Sequence, residues 1–169
     1  MSKDAYQAEQ MSSYDLDLEP IMVKAMDFEE GYGWSLSFTE RVAEEYCRYL
    51  DLCKKFPEKS IVPSCFVDDF WHLHILDTLK YADDCEKLFG YFLHHFPYFG
   101  MRGEIDKKNL SDSWEASLKM YAETFGYAPP EELWPKSQRC PNCGRRCRDS
   151  VEAEVLADIR PRLADLQPC

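Results

Sequence analysis

The chain has 169 residues, of which 45% are hydrophobic and 14% aromatic, and this is enough apolar material for one globular domain with its own core. Its formal charge of -11 repels phosphate backbones and argues against binding to duplex nucleic acid. No apolar run approaches the roughly 20 residues of a membrane span, and no basic leader precedes an apolar stretch. We therefore expect no membrane association and a cytoplasmic location.

The eight cysteines have two competing interpretations. An even number of cysteines in a small secreted protein indicates a disulfide framework. A chain without a secretory leader that is long enough to fold unaided favours reduced thiols or metal thiolates instead.

The N-terminal part predicts an acidic arm followed by a long amphipathic helix. Residues 1–20 contain few large apolar side chains, which indicates a mobile or loosely docked arm. A capping box of Ser37 and Glu40 predicts the start of a helix that ends near Pro57, with apolar residues at three- and four-residue steps. Its polar, solvated side is expected to contain Glu44, Glu45, Arg48 and Lys54.

The next two predicted helices differ in their exposure. Residues 66–76 are apolar on nearly all sides, so this helix should lie at the centre of the core. The following helix begins at Asp77 or Thr78, and it ends at Gly90 because glycine suits a C-terminal cap.

A last helix begins at Ser111 or Asp112 and ends at Gly126. The sequence has no strand-like alternation longer than four residues. The predicted fold class is therefore all-α, with a single small helical domain over residues 21–135 and a cysteine-bearing tail over residues 136–169.

All four histidines lie within 24 positions. Residues two apart on a helix are separated by about 200°, so His72 and His74 should serve different faces and cannot chelate one ion together. Asp68 lies one turn before His72, where a carboxylate can fix the tautomer of an imidazole.

The opposite helix face carries His74, followed by Tyr81 and Cys85. If His94 or His95 folds back onto that face, imidazole, thiol and phenol groups converge in one pocket. The cluster then forms a satisfied polar network, a site for zinc, copper or iron, or an acid-base or thiol catalyst. The candidate pocket contains Asp68, Trp71, His72, His74, Tyr81, Cys85, His94 and His95.

A resemblance rests on several segments of this region and continues through Tyr121 and Trp134. The segments are Ile61-Val62-Pro63-Ser64, Val67-Asp68, Trp71-His72-Leu73-His74-Ile75-Leu76-Asp77-Thr78, Tyr81, Asp84-Cys85, Phe89-Gly90, His94-His95-Phe96-Pro97 and Phe125-Gly126. They resemble the Trp-His-x-His block of the glycine-rich domain-containing protein-like family, and the similarity covers about positions 38–135. The resemblance implies a helical domain without an assigned reaction or ligand set. The glycine-rich segment that gives that family its name is missing from this sequence.

The tail contains a Cys-x-x-Cys pair typical of a zinc knuckle, Cys140 and Cys143. Tetrahedral zinc needs two more ligands, for which Cys147 and Cys169 are the candidates. A flexible reduced tail and a redox pair are the alternatives.

These patterns lead to three functional hypotheses. The first is an accessory metal-binding or scaffold protein with zinc as its metal. The second is a metal- or thiol-dependent enzyme that uses the pocket of His72, His74, Cys85, His94 and His95. The third is an interaction module whose acidic surface binds a basic protein partner. The sequence leaves enzymatic activity and the oligomeric state open.

Overall fold

The computed structural model describes residues 11–135 and 160–162, and this part of the chain forms five α-helices and no strand. The predicted all-α fold class is therefore confirmed. A short 3-10 turn at Ser13–Asp15 precedes the five helices. They are α1 (Glu19–Met26), α2 (Leu36–Lys55), α3 (Cys65–Leu76), α4 (Thr78–Phe89) and α5 (Glu104–Phe125).

Helix α2 is the central element of the fold. It packs against α1, α3 and α5, while α3 also contacts α1 and α4. The amphipathic pattern of α2 explains this position, because Val42, Tyr46 and Leu50 repeat at helical spacing and are fully buried. Helix α3 is predicted to be a core helix, and its Val67 and Phe70 are fully buried.

Residues 11–20 of the predicted arm contact the helical domain. The Ser13 hydroxyl donates to the backbone carbonyl of Cys47 at 2.9 Å, and Leu18 belongs to the hydrophobic core. These contacts attach the segment to α2, and α1 begins at Glu19, two residues before the predicted start of the helical domain at residue 21. Residues 1–10 lie outside the described part of the chain.

Two helix starts also differ from the prediction. The side chain of Ser35 accepts the Phe38 N–H, so α2 begins two residues earlier than a cap at Ser37 would place it. Helix α5 begins at Glu104 instead of after Ser111 or Asp112. The buried Asp106 carboxylate lies in the first turn, where the positive end of the helix favours it, and it accepts the backbone N–H groups of Gly100 and Arg102 in the preceding loop.

The predicted helix ends are confirmed at both glycines. Gly90 follows α4 with φ of 73°, and Gly126 follows α5 with φ of 82°. Side chains other than glycine are strained in this left-handed region, so these two residues end their helices at defined positions. In the described part of the chain, no helix has the length and apolarity to cross a bilayer.

A candidate metal centre beside a pocket

Asp68 and His72 lie one turn apart on α3 and face the same side of the helix. The start of this helix is fixed by Ser64, whose side chain accepts the Val67 N–H. His95 comes from the loop between α4 and α5. It meets the two α3 residues because the loop folds back over Trp71, whose ring centre lies 4.5 Å from that of His95.

Tyr81 attaches this loop to the core. Its hydroxyl accepts the Trp71 Nε1–H at 2.9 Å and donates to the backbone carbonyl of Leu93 at 2.5 Å. Leu93 is only two residues before His95, so the tyrosine restricts the position of the loop that carries this histidine.

Asp68, His72 and His95 form a three-residue cluster, the triad, whose ligand-type atoms all lie within 4.8 Å of one another. The Nε2 atom of His95 is 3.0 Å from the Nε2 atom of His72 and 3.0 Å from Oδ1 of Asp68. The Nε2 atom of His72 is 3.6 Å from Oδ2 of Asp68. Two imidazole nitrogens and a carboxylate therefore point at one small volume.

Hydrogen bonds alone satisfy these three groups poorly. A neutral imidazole carries one N–H, so His95 Nε2 cannot direct its proton straight at both the Asp68 oxygen and the His72 nitrogen. A divalent cation between the three groups would instead accept a lone pair from each of them. The chemistry of the three donors thus suits a metal ion.

A pocket of about 510 Å³ opens beside the triad, and Asp68, Trp71 and His95 form part of its wall. Sites for small organic molecules have volumes of roughly 300–1,000 Å³. The His72 side chain is 42% exposed, whereas the side chains of Asp68 and His95 are 11% and 13% exposed. The triad therefore lies at the boundary between core and solvent, where a ligand can reach it.

His74 belongs to a separate, buried network. Its Nδ1 atom is 2.9 Å from the Tyr46 hydroxyl, and its Nε2 atom is 3.0 Å from an Asp84 carboxylate oxygen. Because a carboxylate only accepts, Nε2 carries the proton and Nδ1 accepts from the tyrosine. Burial lowers the pKa of His74, and the nearby Asp84 carboxylate opposes this effect. Both ring nitrogens are used inside the core.

The predicted convergence into one pocket therefore does not occur in full. His72 and His74 do face different sides, and the ring of His74 contacts that of Tyr81 at 5.0 Å. His95, however, joins His72 and Asp68 rather than His74. His94 is exposed and contacts Phe92, with ring centres 4.9 Å apart.

The buried thiols near this region are poor nucleophiles. Cys85 is buried, and burial raises the pKa of its thiol. Cys53, which lines the pocket, has a pKa raised to about 12 by the same cause. The thiolate is the reactive form, and burial with a raised thiol pKa disfavours that form at these two cysteines. The predicted tail ligands Cys140, Cys143, Cys147 and Cys169 lie outside the described residues.

Three buried residues that complete polar networks were not predicted as partners from the sequence. Tyr46 and Asp84 bind His74, and Glu45 is buried instead of lying on the solvated side of α2. Glu45 follows Val42 by three residues and precedes Tyr49 by four, so its spacing from these buried residues could have predicted that it lies on the buried face.

Fold and site together define a small helical protein with a two-histidine, one-carboxylate cluster at the wall of a pocket. The chain belongs to the UCP032817-like family, which matches residues 16–133. This match corrects the predicted membership in the glycine-rich domain-containing protein-like family. The residues that carry the resemblance include Trp71 and His74, which are buried and serve core packing and polar pairing that any helical domain needs. No curated protein and no solved structure matches the chain.

Proposed function

We propose that the protein binds one divalent transition-metal ion through the triad and presents it to the adjoining pocket. The observation that supports this proposal is the set of donor separations of 3.0, 3.0 and 3.6 Å among Asp68, His72 and His95. Zinc bonds of 2.0–2.1 Å in a tetrahedral site place neighbouring donors about 3.3 Å apart. The three side chains need little movement to hold such an ion.

The donor set also limits the identity of the metal. Imidazole and carboxylate ligands suit zinc, and two histidines with one carboxylate are equally typical of non-haem Fe(II). Zinc is the first choice because it requires no redox partner. Three protein ligands leave a coordination position for water or an organic ligand.

A metal-dependent enzyme is the second candidate function. An incomplete ligand set beside a pocket of about 510 Å³ favours it, because catalytic zinc sites keep one position open whereas structural sites close all four. Zinc in such a site lowers the pKa of its bound water and so supplies a nucleophile near neutral pH. The protein contributes the orientation of the three ligands.

The loss of His95 tests the metal site. In the His95→Ala variant we expect the triad to lose its metal, with affinity reduced by at least about 100-fold, since even the loss of an outer partner costs roughly 10–100-fold. The measurement is a zinc competition titration of full-length protein against a fluorescent chelator, with metal content checked by elemental mass spectrometry.

His94→Ala is the matched control, because His94 is the adjacent histidine and lies outside the triad. It should keep the affinity of the unsubstituted protein. A Cys143→Ser variant separates any zinc bound by the tail from zinc bound by the triad. Equal zinc affinity at every site in His95→Ala and in the unsubstituted protein would refute the proposal.

Tyr81 is expected to act on the metal indirectly. Tyr81→Phe removes the hydrogen bonds to Trp71 and Leu93 and keeps the ring, so the loop that carries His95 should become less restricted. We expect metal affinity to fall by about 10–100-fold, the usual effect of losing an outer-shell partner. The same zinc titration measures this, with the exposed Tyr91→Phe as control. An unchanged affinity would show that packing alone positions His95.

A further inference from the structure

We propose that the pocket beside the triad binds a small organic carboxylate with an apolar body, whose carboxylate group occupies the open position of the metal. This inference rests on the proposed metal site and adds the chemical class of its ligand.

The walls of the pocket are largely apolar and aromatic. Trp71, Leu93, Phe96, Phe99 and Leu110 all contribute to them. Apolar surface of this kind contributes affinity in proportion to the ligand area that it covers, at about 25 cal/mol per Å². A ligand with a hydrocarbon or aromatic body is therefore favoured over a purely polar one.

The charges of the wall favour an anion. Lys59 lines the pocket and forms no ion pair with any described residue. Among the described residues that line the pocket, Asp68 is the single carboxylate, and it would be a metal ligand. With a dication bound, the pocket becomes a positive site in a protein whose formal charge is -11. Such a contrast selects negatively charged ligands.

A carboxylate fits this charge better than a phosphate does. Phosphate recognition generally uses a guanidinium fork or several donors at once. Arg102, the other cation of the wall, is held by Asp106 through its Nε and Nη2 atoms at 3.1 and 2.9 Å, and it lies over the Phe96 ring. The guanidinium is thus already paired. The metal and Lys59 remain to bind the ligand, and together they suit a group with a single negative charge.

The test uses full-length protein loaded with Co²⁺, because the visible absorption of cobalt changes when a ligand enters an open position. The cobalt spectrum of His95→Ala is subtracted, so that only the triad is followed. The probes are 4-phenylbutyrate, acetate, which lacks the apolar body, and 4-phenylbutan-1-ol, which lacks the carboxylate.

We expect 4-phenylbutyrate to change the spectrum with a Kd at least about tenfold below that of acetate, since burial of a few methylene groups gives this factor. The alcohol should leave the spectrum unchanged. Lys59→Gln should raise the Kd of 4-phenylbutyrate by about fivefold through the loss of one nearby charge. Lys55→Gln, which removes a lysine outside the pocket wall, should leave it unchanged.

The outcomes separate the two proposals. If no cobalt absorption depends on His95, both the metal site and the ligand inference are overturned. If cobalt binds at the triad but 4-phenylbutyrate binds no tighter than acetate, the metal site stands and the ligand inference is overturned. An unchanged Kd in Lys59→Gln would also overturn it, because the charge argument would then be wrong.

Discussion

Trp71→Ala is expected to lower the free energy of unfolding by about 3–5 kcal/mol, the usual cost of removing a large aromatic side chain from a core. Trp71 is only 5% exposed and contacts the rings of Tyr49 and His95. The substitution creates a cavity between α2, α3 and the loop that carries His95. It also removes the indole N–H that donates to Tyr81.

The measurement is the urea midpoint and slope of purified protein, followed by far-ultraviolet circular dichroism. Trp71→Phe is the matched control, because it keeps much of the aromatic volume and loses the hydrogen bond. It should cost less than the alanine variant. An unfolding midpoint of Trp71→Ala within error of the unsubstituted protein would contradict the central position of this side chain.

Glu45→Ala is expected to destabilise the protein by a similar amount, about 3–5 kcal/mol, the cost of breaking a buried ion pair. The Glu45 carboxylate accepts hydrogen bonds from the Tyr121 hydroxyl at 3.0 Å and from the Trp134 Nε1–H at 2.8 Å. It also pairs with Arg48 at 2.6 Å. Burial raises the pKa of Tyr121, so its hydroxyl remains a donor. Removing the carboxylate leaves the buried Tyr121 hydroxyl and the Trp134 N–H without their acceptor.

Glu44→Ala provides a close control for this experiment. Glu44 also pairs with Arg48 and is the preceding residue on the same helix, but its side chain is 50% exposed against 4% for Glu45. An exposed pair contributes little, so the control should change stability by less than about 1 kcal/mol. Urea unfolding of both variants measures the difference. Equal effects of the two substitutions would show that the buried carboxylate has no special role.

The two variants also test how the end of the domain is attached. Trp134 stacks with Trp114 at 5.8 Å and contacts Tyr121 at 5.5 Å, so Glu45 connects α2 both to α5 and to the segment after it. A local effect would loosen that segment alone. A cooperative loss of all helices, as we expect, would place the carboxylate in the main core.

In the candidate site, residue spacing predicts which side chains share a face of one helix, but not which side chains of different elements meet. The four-residue step from Asp68 to His72 places both side chains on one face of α3, because the helix repeat is fixed at 3.6 residues. The two-residue step from His72 to His74 separates those histidines for the same reason. No such rule links His72 to His95, which lie 23 residues apart on a helix and a loop.

Local chemistry in the sequence determined the helical class, the left-handed ends at Gly90 and Gly126 and the opposite faces of His72 and His74, since each depends on a helical repeat or on one residue's backbone freedom. Tertiary structure decided which histidine joined which carboxylate. The loop passes over Trp71 and is held by the hydrogen bond from Tyr81 to Leu93, which brings His95 to Asp68. His74 instead pairs with Tyr46 and Asp84. Those pairings depend on the packing of several elements at once, and the spacing of residues along the chain does not encode that packing locally.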